Sequence, residues 1–338
     1  MRISFVRRHR VARFAINVWA VALAALCVVQ ANAQADKYPD RPLKLVVGFA
    51  PGGAADTVAR VIADELGKQL GKPIVVDNRT GASGNIASQA AIAAPADGLT
   101  LMFAGIQLAT NPAIMVVGYD PLKDVQMIAQ FNSVPVVMVV RADSPLRTIP
   151  DVVAAMRKTE AKGGLTFASG GIGTSSHLAA ELLARVNGVP YVHVPFRGGA
   201  LATQALLGGE VNVMFDLMSG SLKSMVDAGK VRLVAVMQGS RVATLPDVPA
   251  AAEQGLKPEG FIRTWQGLAV RSGTPPEIVA RLHSALTAAV RSPAVADKFR
   301  QLGMETTLSA SPAEAQRFYL GELERWTSLI KAAGIKAE

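Results

Sequence analysis

Nine short runs rich in Val, Leu, Ile and Ala punctuate the chain between residues 43 and 270. They are Leu43–Phe49, Ile74–Asn78, Thr100–Ala104, Val134–Arg141, Leu165–Ser169, Val189–Val194, Val211–Phe215, Val231–Met237 and Gln266–Val270. Most lack the in–out alternation of a half-exposed strand, so they predict strands covered on both faces. Ala-rich stretches of helical length lie between them, near 53–71, 83–94, 150–161, 174–187, 199–208, 218–228, 275–290 and 311–333. This alternation predicts an α/β fold with mainly parallel sheets. Two extended segments interrupt it. Val134–Arg141 is a long run preceded by Asn132-Ser133, and Phe261–Gly267 has no helical period. Two such crossings let a chain leave one lobe, build a second and return. The expected division is lobe 1 from 36–135 and 265–338, and lobe 2 from 136–264, with a cleft between. The helices from Pro275 onward are expected to cover lobe 1.

A length of 338 residues suits about two domains and a sizeable core. The net charge of +9 looks like a nucleic-acid signal until its location is noted. Arg2, Arg7, Arg8, Arg10 and Arg13 all lie in the first 33 residues, which hold no acid; the rest has 30 basic and 26 acidic residues. No Lys/Arg cluster stands out in that remainder, so nucleic acid is not an expected partner. The basic start is followed by the apolar stretch Phe14–Val29 and the small residues of Ala31-Asn32-Ala33. That pattern predicts a secretory signal peptide over 1–33, cut after Ala33 or Ala35. The lone Cys27 falls inside it. A mature chain without thiols suits an oxidising compartment and excludes Cys-based metal sites. No metal or cofactor is expected.

Three strands run into loops of small residues that open helices. The first is Phe49-Ala50-Pro51-Gly52-Gly53 with Asp56 in the following turn. The second is Gly81-Ala82-Ser83-Gly84, after Asn78-Arg79-Thr80. The third runs from Ser169 through Gly170-Gly171-Ile172-Gly173 to Thr174-Ser175-Ser176-His177. Glycines expose backbone N–H groups, and the first N–H groups of a helix lack intrahelical partners at its positive end. Such a terminus attracts anions, and ligands of open α/β sheets bind at this end of the strands. No Gly-Lys-Ser/Thr or G-x-G-x-x-G pattern occurs here, which favours a carboxylate over a nucleotide. Taken singly, each loop also fits a tight turn that needs glycine for geometry alone. Gly53 is the position whose missing side chain should admit the ligand.

Other polar residues carry paired interpretations. Asp56 and Arg60 stand at i,i+4 and suit a helix-surface ion pair. Asp216 ends an apolar strand, so its carboxylate either faces the cleft or caps the helix beginning near Leu217. Arg197 either meets a ligand carboxylate or sits solvated in its loop. Ser175 or Ser176 with His177 raises a serine-hydrolase alternative. However, residues two apart on a helix do not face each other, no G-x-S-x-G elbow exists, and helix-start serines suit caps.

These motifs, with Ala94-Pro95-Ala96-Asp97-Gly98, Phe215-Asp216, Ser240-Arg241 and Leu245-Pro246-Asp247-Val248-Pro249, resemble the Bug family of periplasmic receptors for tripartite tricarboxylate transporters. The resemblance runs from Tyr38-Pro39-Asp40-Arg41-Pro42 to the last helix. It implies a two-lobe, type II-like Venus-flytrap fold with a carboxylate in the interlobe cleft. It also implies transport without catalysis, delivery of the ligand to the membrane components of the transporter, and a monomer. By position, the resemblance places Phe49 to Gly53, Asp56, Gly81 to Gly84, Ser169 and Thr174 to His177 around the ligand. Asp216 matches a position that faces the ligand amine in amino-acid-binding members. Ala82-Ser83 and Phe196-Arg197 depart from the commoner residues, which leaves dicarboxylates, tricarboxylates, amino acids and aromatic acids open as ligands. A sensor docking to a signalling kinase is the other non-enzymatic alternative.

Overall fold

The computed structural model describes residues 38–159 and 164–335. The expected leader and its cleavage site lie outside the described residues. Ten strands form one continuous curled sheet. In order of sequence, the first half is built from β1 (Leu43–Val47), α1 (Ala54–Leu70), β2 (Ile74–Asn78), α2 (Asn85–Ala93), β3 (Thr100–Gly105) and α3 (Ile106–Ile114). The long strand β4 (Val125–Arg141) follows. The second half holds α4 (Ile149–Thr159), β5 (Thr166–Ser169), α5 (Ser175–Asn187), β6 (Val192–Pro195), α6 (Gly199–Gly208), β7 (Val213–Leu217), α7 (Gly220–Asp227) and β8 (Val231–Val236). The chain returns through β9 (Arg263–Arg271) and ends with α8 (Pro276–Arg291), α9 (Pro293–Gln301), β10 (Glu305–Thr306) and α10 (Pro312–Ala333).

The strand order is β2-β1-β3-β9-β4-β7-β5-β6, with β8 and β10 also on β4. Within each half the three strands followed by helices are parallel: β2, β1 and β3 in one, β6, β5 and β7 in the other. The crossing strands run against them. Residues 125–135 of β4 pair with β9, and residues 136–141 pair with β7 and β8. Register shifts interrupt the β4–β9 ladder between Met127 and Ala129 and between Gln130 and Asn132. Such irregularities bend a strand and increase its local twist.

The apolar runs are explained by burial on both faces. In β1, Leu45 and Val47 enter a core under α1, α8 and α9, while Val46 enters a second core on the opposite face. That second core passes without a break from the first half to the second. It joins Met102 and Met127 to Met138, Phe167 and Leu178, and α10 contributes Tyr319 and Trp326 to it. A third core lies under α6 and α7 and contains Val137, Val139 and Met214. The last helix therefore reaches beyond the first half: Arg185 on α5 donates to the Ala332 carbonyl at 3.0 Å. Among the described residues, no helix is long and apolar enough to cross a membrane.

Candidate functional site

Four strand ends and four helix starts meet around one cavity of about 60 Å3. Its wall includes the starts of α1 (Gly53, Ala54, Ala55), α3 (Gly105, Ile106, Gln107), α5 (Thr174, Ser175, Ser176) and α6 (Gly199). Phe49, Phe103, Gly170, Asp216, Leu217 and the β9 segment Thr264–Gln266 complete it. The volume has room for several waters or a small organic group. Each helix start stabilises an anion by roughly 0.3–1 kcal/mol, and by up to ~2 kcal/mol when partly buried.

The first loop is fixed from below. Asp56 is 3% exposed, and its carboxylate is fully engaged. It accepts from the Gly52 amide at 2.9 Å, from Arg60 Nε and Nη2 at 3.0 and 2.9 Å, and from Asn78 Nδ2 at 2.9 Å. Asn78 also donates to the Phe49 carbonyl at 2.9 Å. Burial opposes ionisation of Asp56, but Arg60, the Gly52 amide and Asn78 outweigh it and hold its pKa below the ordinary value. The left-handed residue of this loop is Gly52, at φ 84°, whereas Gly53 is extended at φ −75°. A side chain at Gly53 is therefore not strained by its backbone.

The third loop is braced in the same way. Gly170 N–H donates to Ser176 Oγ at 2.9 Å, and Gly173 N–H to His177 Nδ1 at 3.0 Å. Ser169 Oγ lies 2.6 Å from His193 Nε2 and accepts from the Gly171 amide at 3.1 Å. The His177 and His193 rings stack with centroids 3.9 Å apart. Burial, reinforced by the neighbouring His177, pushes the His193 pKa down to about 3. Thr174, rather than either serine, caps α5.

Asp216 stands apart from these braces. It is 8% exposed and belongs to β7, opposite Val137 of β4. The cap of α7 is Ser219, whose Oγ accepts from Leu222 at 3.1 Å, so the capping alternative for Asp216 does not hold. Among the described residues its carboxylate has no ion pair, and burial, partly offset by the Leu217 amide, pushes its pKa up to about 7. A methyl group built on Gly199 would come within 1.8 Å of Asp216 Oδ2, so glycine at the start of α6 makes room for this carboxylate.

A wider cavity of about 410 Å3 adjoins the first through Phe49 and Gly170. It is lined by Thr80 to Gly84, Gly171, Ile172 and Pro195 to Arg197, among others. Among the described residues, Arg197 is its only charged lining residue. Ala82 and Ser83 adopt φ of 46° and 51°, which costs non-glycine residues roughly 1–2 kcal/mol each. Strain of this kind concentrates at ligand clamps and switches.

Of the residues expected from the sequence, Phe49, Gly53, Thr174, Ser175 and Asp216 line the inner cavity. Phe49, Gly81, Ala82, Ser83, Gly84 and Arg197 line the outer one. Ala50, Pro51, Gly52, Asp56, Ser169 and His177 line neither, and Gly52, Asp56, Ser169 and His177 hold loops in place. The sequence reasoning missed Gln107, Thr264 and Gln266. Gln107 is 7% exposed, and its amide has no hydrogen bond within the described chain. Gln266 Oε1 accepts from Asn132 at 2.8 Å. The available signal for Gln107 was a fourth strand-end glycine, Gly105, with no second glycine beside it.

The halves touch across this site. Ser221 Oγ donates to the Gly52 carbonyl at 3.0 Å, and Thr110 Oγ1 to the Gly173 carbonyl at 2.6 Å. A family model, TctC, the tripartite tricarboxylate transporter family receptor, matches residues 58–335. The chain belongs to this receptor family. Its relatives include BugT of Bordetella pertussis, 32% identical over 311 residues that cover 91% of this chain and 94% of BugT. Among solved structures, the periplasmic binding protein BugD superimposes with a TM-score of 0.83 at 32% identity, over 89% of this chain and all of BugD. MatC of Rhodopseudomonas palustris, solved with malate, gives a TM-score of 0.80 at 31% identity over 87% of this chain and all of MatC. An R. palustris protein solved with adipate gives 0.83 at 31% identity, over 89% and 100% of the two chains. The α/β receptor fold expected from the sequence is thus the one found. The TctC family is one of substrate-binding receptors.

Proposed function

We propose that this receptor captures a small carboxylate in the periplasm and hands it to the membrane components of a tripartite transporter. The observation that carries this proposal is the convergence of four helix starts on one small cavity with no lysine or arginine among the described residues of its wall. Such a wall offers hydrogen-bond donors and partial positive charge, which suits a carboxylate. A few helix-terminus terms plus direct hydrogen bonds are sufficient for about 8 kcal/mol, or micromolar affinity. The malate- and adipate-bound neighbours are consistent with the same ligand class.

In this proposal the ligand carboxylate lies among Gly53, Gln107, Ser175 and Gly199, and a second polar end extends past Phe49 toward Arg197. The chain divides into lobe 1 (36–135 and 265–338) and lobe 2 (136–264), which close as hinged bodies about β4 and β9. The protein works as a monomer, without a cofactor, after removal of residues 1–33. It does not turn its ligand over. The serine hydroxyl bonded to a histidine among the described residues, Ser169, is 1% exposed and lines neither cavity. Ser175 lines the inner cavity with no histidine within hydrogen-bond reach.

A thermal-shift panel of acetate, succinate, malate, adipate, citrate, glutamate and benzoate, each against its neutral amide, tests the proposal. A bound acid raises the melting temperature by mass action, and its amide does not. Equal shifts for acid and amide, or no shift with any acid, contradict it.

A further inference from the structure

The inner cavity presents a contradiction to any anion that enters it. Among the described residues its wall carries one titratable side chain, and that side chain is an acid, Asp216. Among the described residues, no basic side chain lines the cavity to compensate. Of the cations nearby, Arg197 lies in the adjoining outer cavity, and on β9 Arg263 pairs with Glu305 while Arg271 donates to the Ala94 carbonyl. On α5, His177 and Glu181 face each other at 3.5 Å, and Arg185 is directed to α10. On α1, Asp56 and Arg60 neutralise each other. Lys223 and Asp227 do so on α7, and Arg141 of β4 pairs with Asp143. Strand β5 and helix α6 carry no titratable side chain. A ligand carboxylate and an ionised Asp216 would share one low-polarity space, and like charges so placed disfavour joint ionisation.

We infer that this receptor binds its carboxylate together with one proton, held on Asp216, so that a neutral Asp216 hydroxyl donates a hydrogen bond to a ligand oxygen. This deepens, and rests on, the carboxylate proposal above. The proton comes from solvent, and no covalent bond changes. Burial already brings Asp216 to a pKa of about 7, so near-neutral pH is where the coupling is felt. Gly199 is part of the device, since any side chain there would displace the carboxylate. The ligand class that follows is an acid with a free hydrogen-bond acceptor and no ammonium group beside its bound carboxylate. An ammonium group would instead select the ionised form of Asp216.

Titration calorimetry in phosphate and in Tris separates these cases, because the difference in buffer ionisation heat counts protons. The probe is whichever acid of the thermal-shift panel gives the largest shift. At pH 8.5 the wild type is expected to take up close to one proton per ligand, and its affinity to fall up to tenfold per pH unit above pH 7. In Asp216→Asn the uptake should vanish and the affinity should no longer depend on pH. Wild-type binding of an acid without proton uptake overturns the inference and leaves the carboxylate proposal standing. Affinity that rises with pH, seen with glutamate alone, also overturns it and assigns Asp216 to an ammonium group. Uptake that persists in Asp216→Asn places the proton elsewhere and overturns it too. Failure of every acid in the thermal-shift panel to bind removes the inference and the carboxylate proposal together.

Discussion

At the scale of single residues, the site separates groups that face the ligand from groups that hold the facing groups still. Asp56 is of the second kind, and its removal should show it. Asp56→Ala leaves the Gly52 amide without its acceptor and takes one acceptor each from Asn78, which keeps the Phe49 carbonyl, and Arg60, which keeps Asn78 Oδ1. A cost of about 1–3 kcal/mol in stability is expected, with weaker ligand binding, by urea denaturation and calorimetry. The three shifted groups also predict how stability varies with pH. Asp56 has a lowered pKa, so its contribution is present above the ordinary carboxylate value and is lost on acidification. His193 is lowered to about 3, so acidification below its ordinary value of 6.5 favours the unfolded state, which takes the proton first. Asp216 is raised to about 7 and acts in reverse: its contribution is present below 3.8 and is lost as pH rises toward 7. Melting curves should therefore show Asp216→Asn more stable relative to wild type at pH 8 than at pH 5. His193→Asn should flatten the loss of stability between pH 6.5 and 4. No change in either profile would contradict the burial of these groups.

At the scale of elements, the helices that open onto the cavity were only partly legible in the sequence. The starts of α1 and α5 are marked by glycine and hydroxyl clusters after apolar runs, and the structure has helices there. Helix α3 was missed because Asn111-Pro112 reads as a break, yet Pro112 lies inside the helix and Asn111 donates to the Ser83 carbonyl at 3.2 Å. Residues 125–133 of β4 were missed because Gln126, Gln130 and Asn132 suggest a loop. Asn132 is fully buried, and its partner Gln266 is distant in sequence, so only the tertiary pairing explains it. Helix α9 was missed although Ser292-Pro293 is a recognisable cap and first turn, with Ser292 Oγ accepting from Val295 at 3.3 Å. Asp216 was legible as a strand-end acid, but its burial was not. The tight fit at the start of α6 gives a direct prediction. Gly199→Ala should push Asp216 from its place, destabilise the protein by about 1–3 kcal/mol and weaken binding. Combined with Asp216→Ala, the stability cost should shrink; simple additivity of the two changes would show that they do not meet.

At the scale of the whole molecule, the halves are joined by β4, by β9 and by a core that runs through both, with α10 packed along it. The described structure has the cleft drawn together by Ser221–Gly52 and Thr110–Gly173 contacts. If the halves hinge, those polar contacts are the ones to break, while the β4–β9 ladder stays intact. Solution scattering should then show a smaller radius of gyration when a bound acid is added, and no change with its amide. The two crossings were visible in the sequence as extended segments, whereas the reach of α10 to α5 was not, because nothing local in Arg185 or Ala332 indicates their pairing. The most direct test of the central claim is a crystal structure with the best acid of the thermal-shift panel. The account places a ligand carboxylate in the inner cavity, within hydrogen-bond distance of the first-turn amides of at least two of the four helices and beside Asp216. A carboxylate bound at another surface, with the inner cavity filled by side chains or water alone, would contradict it.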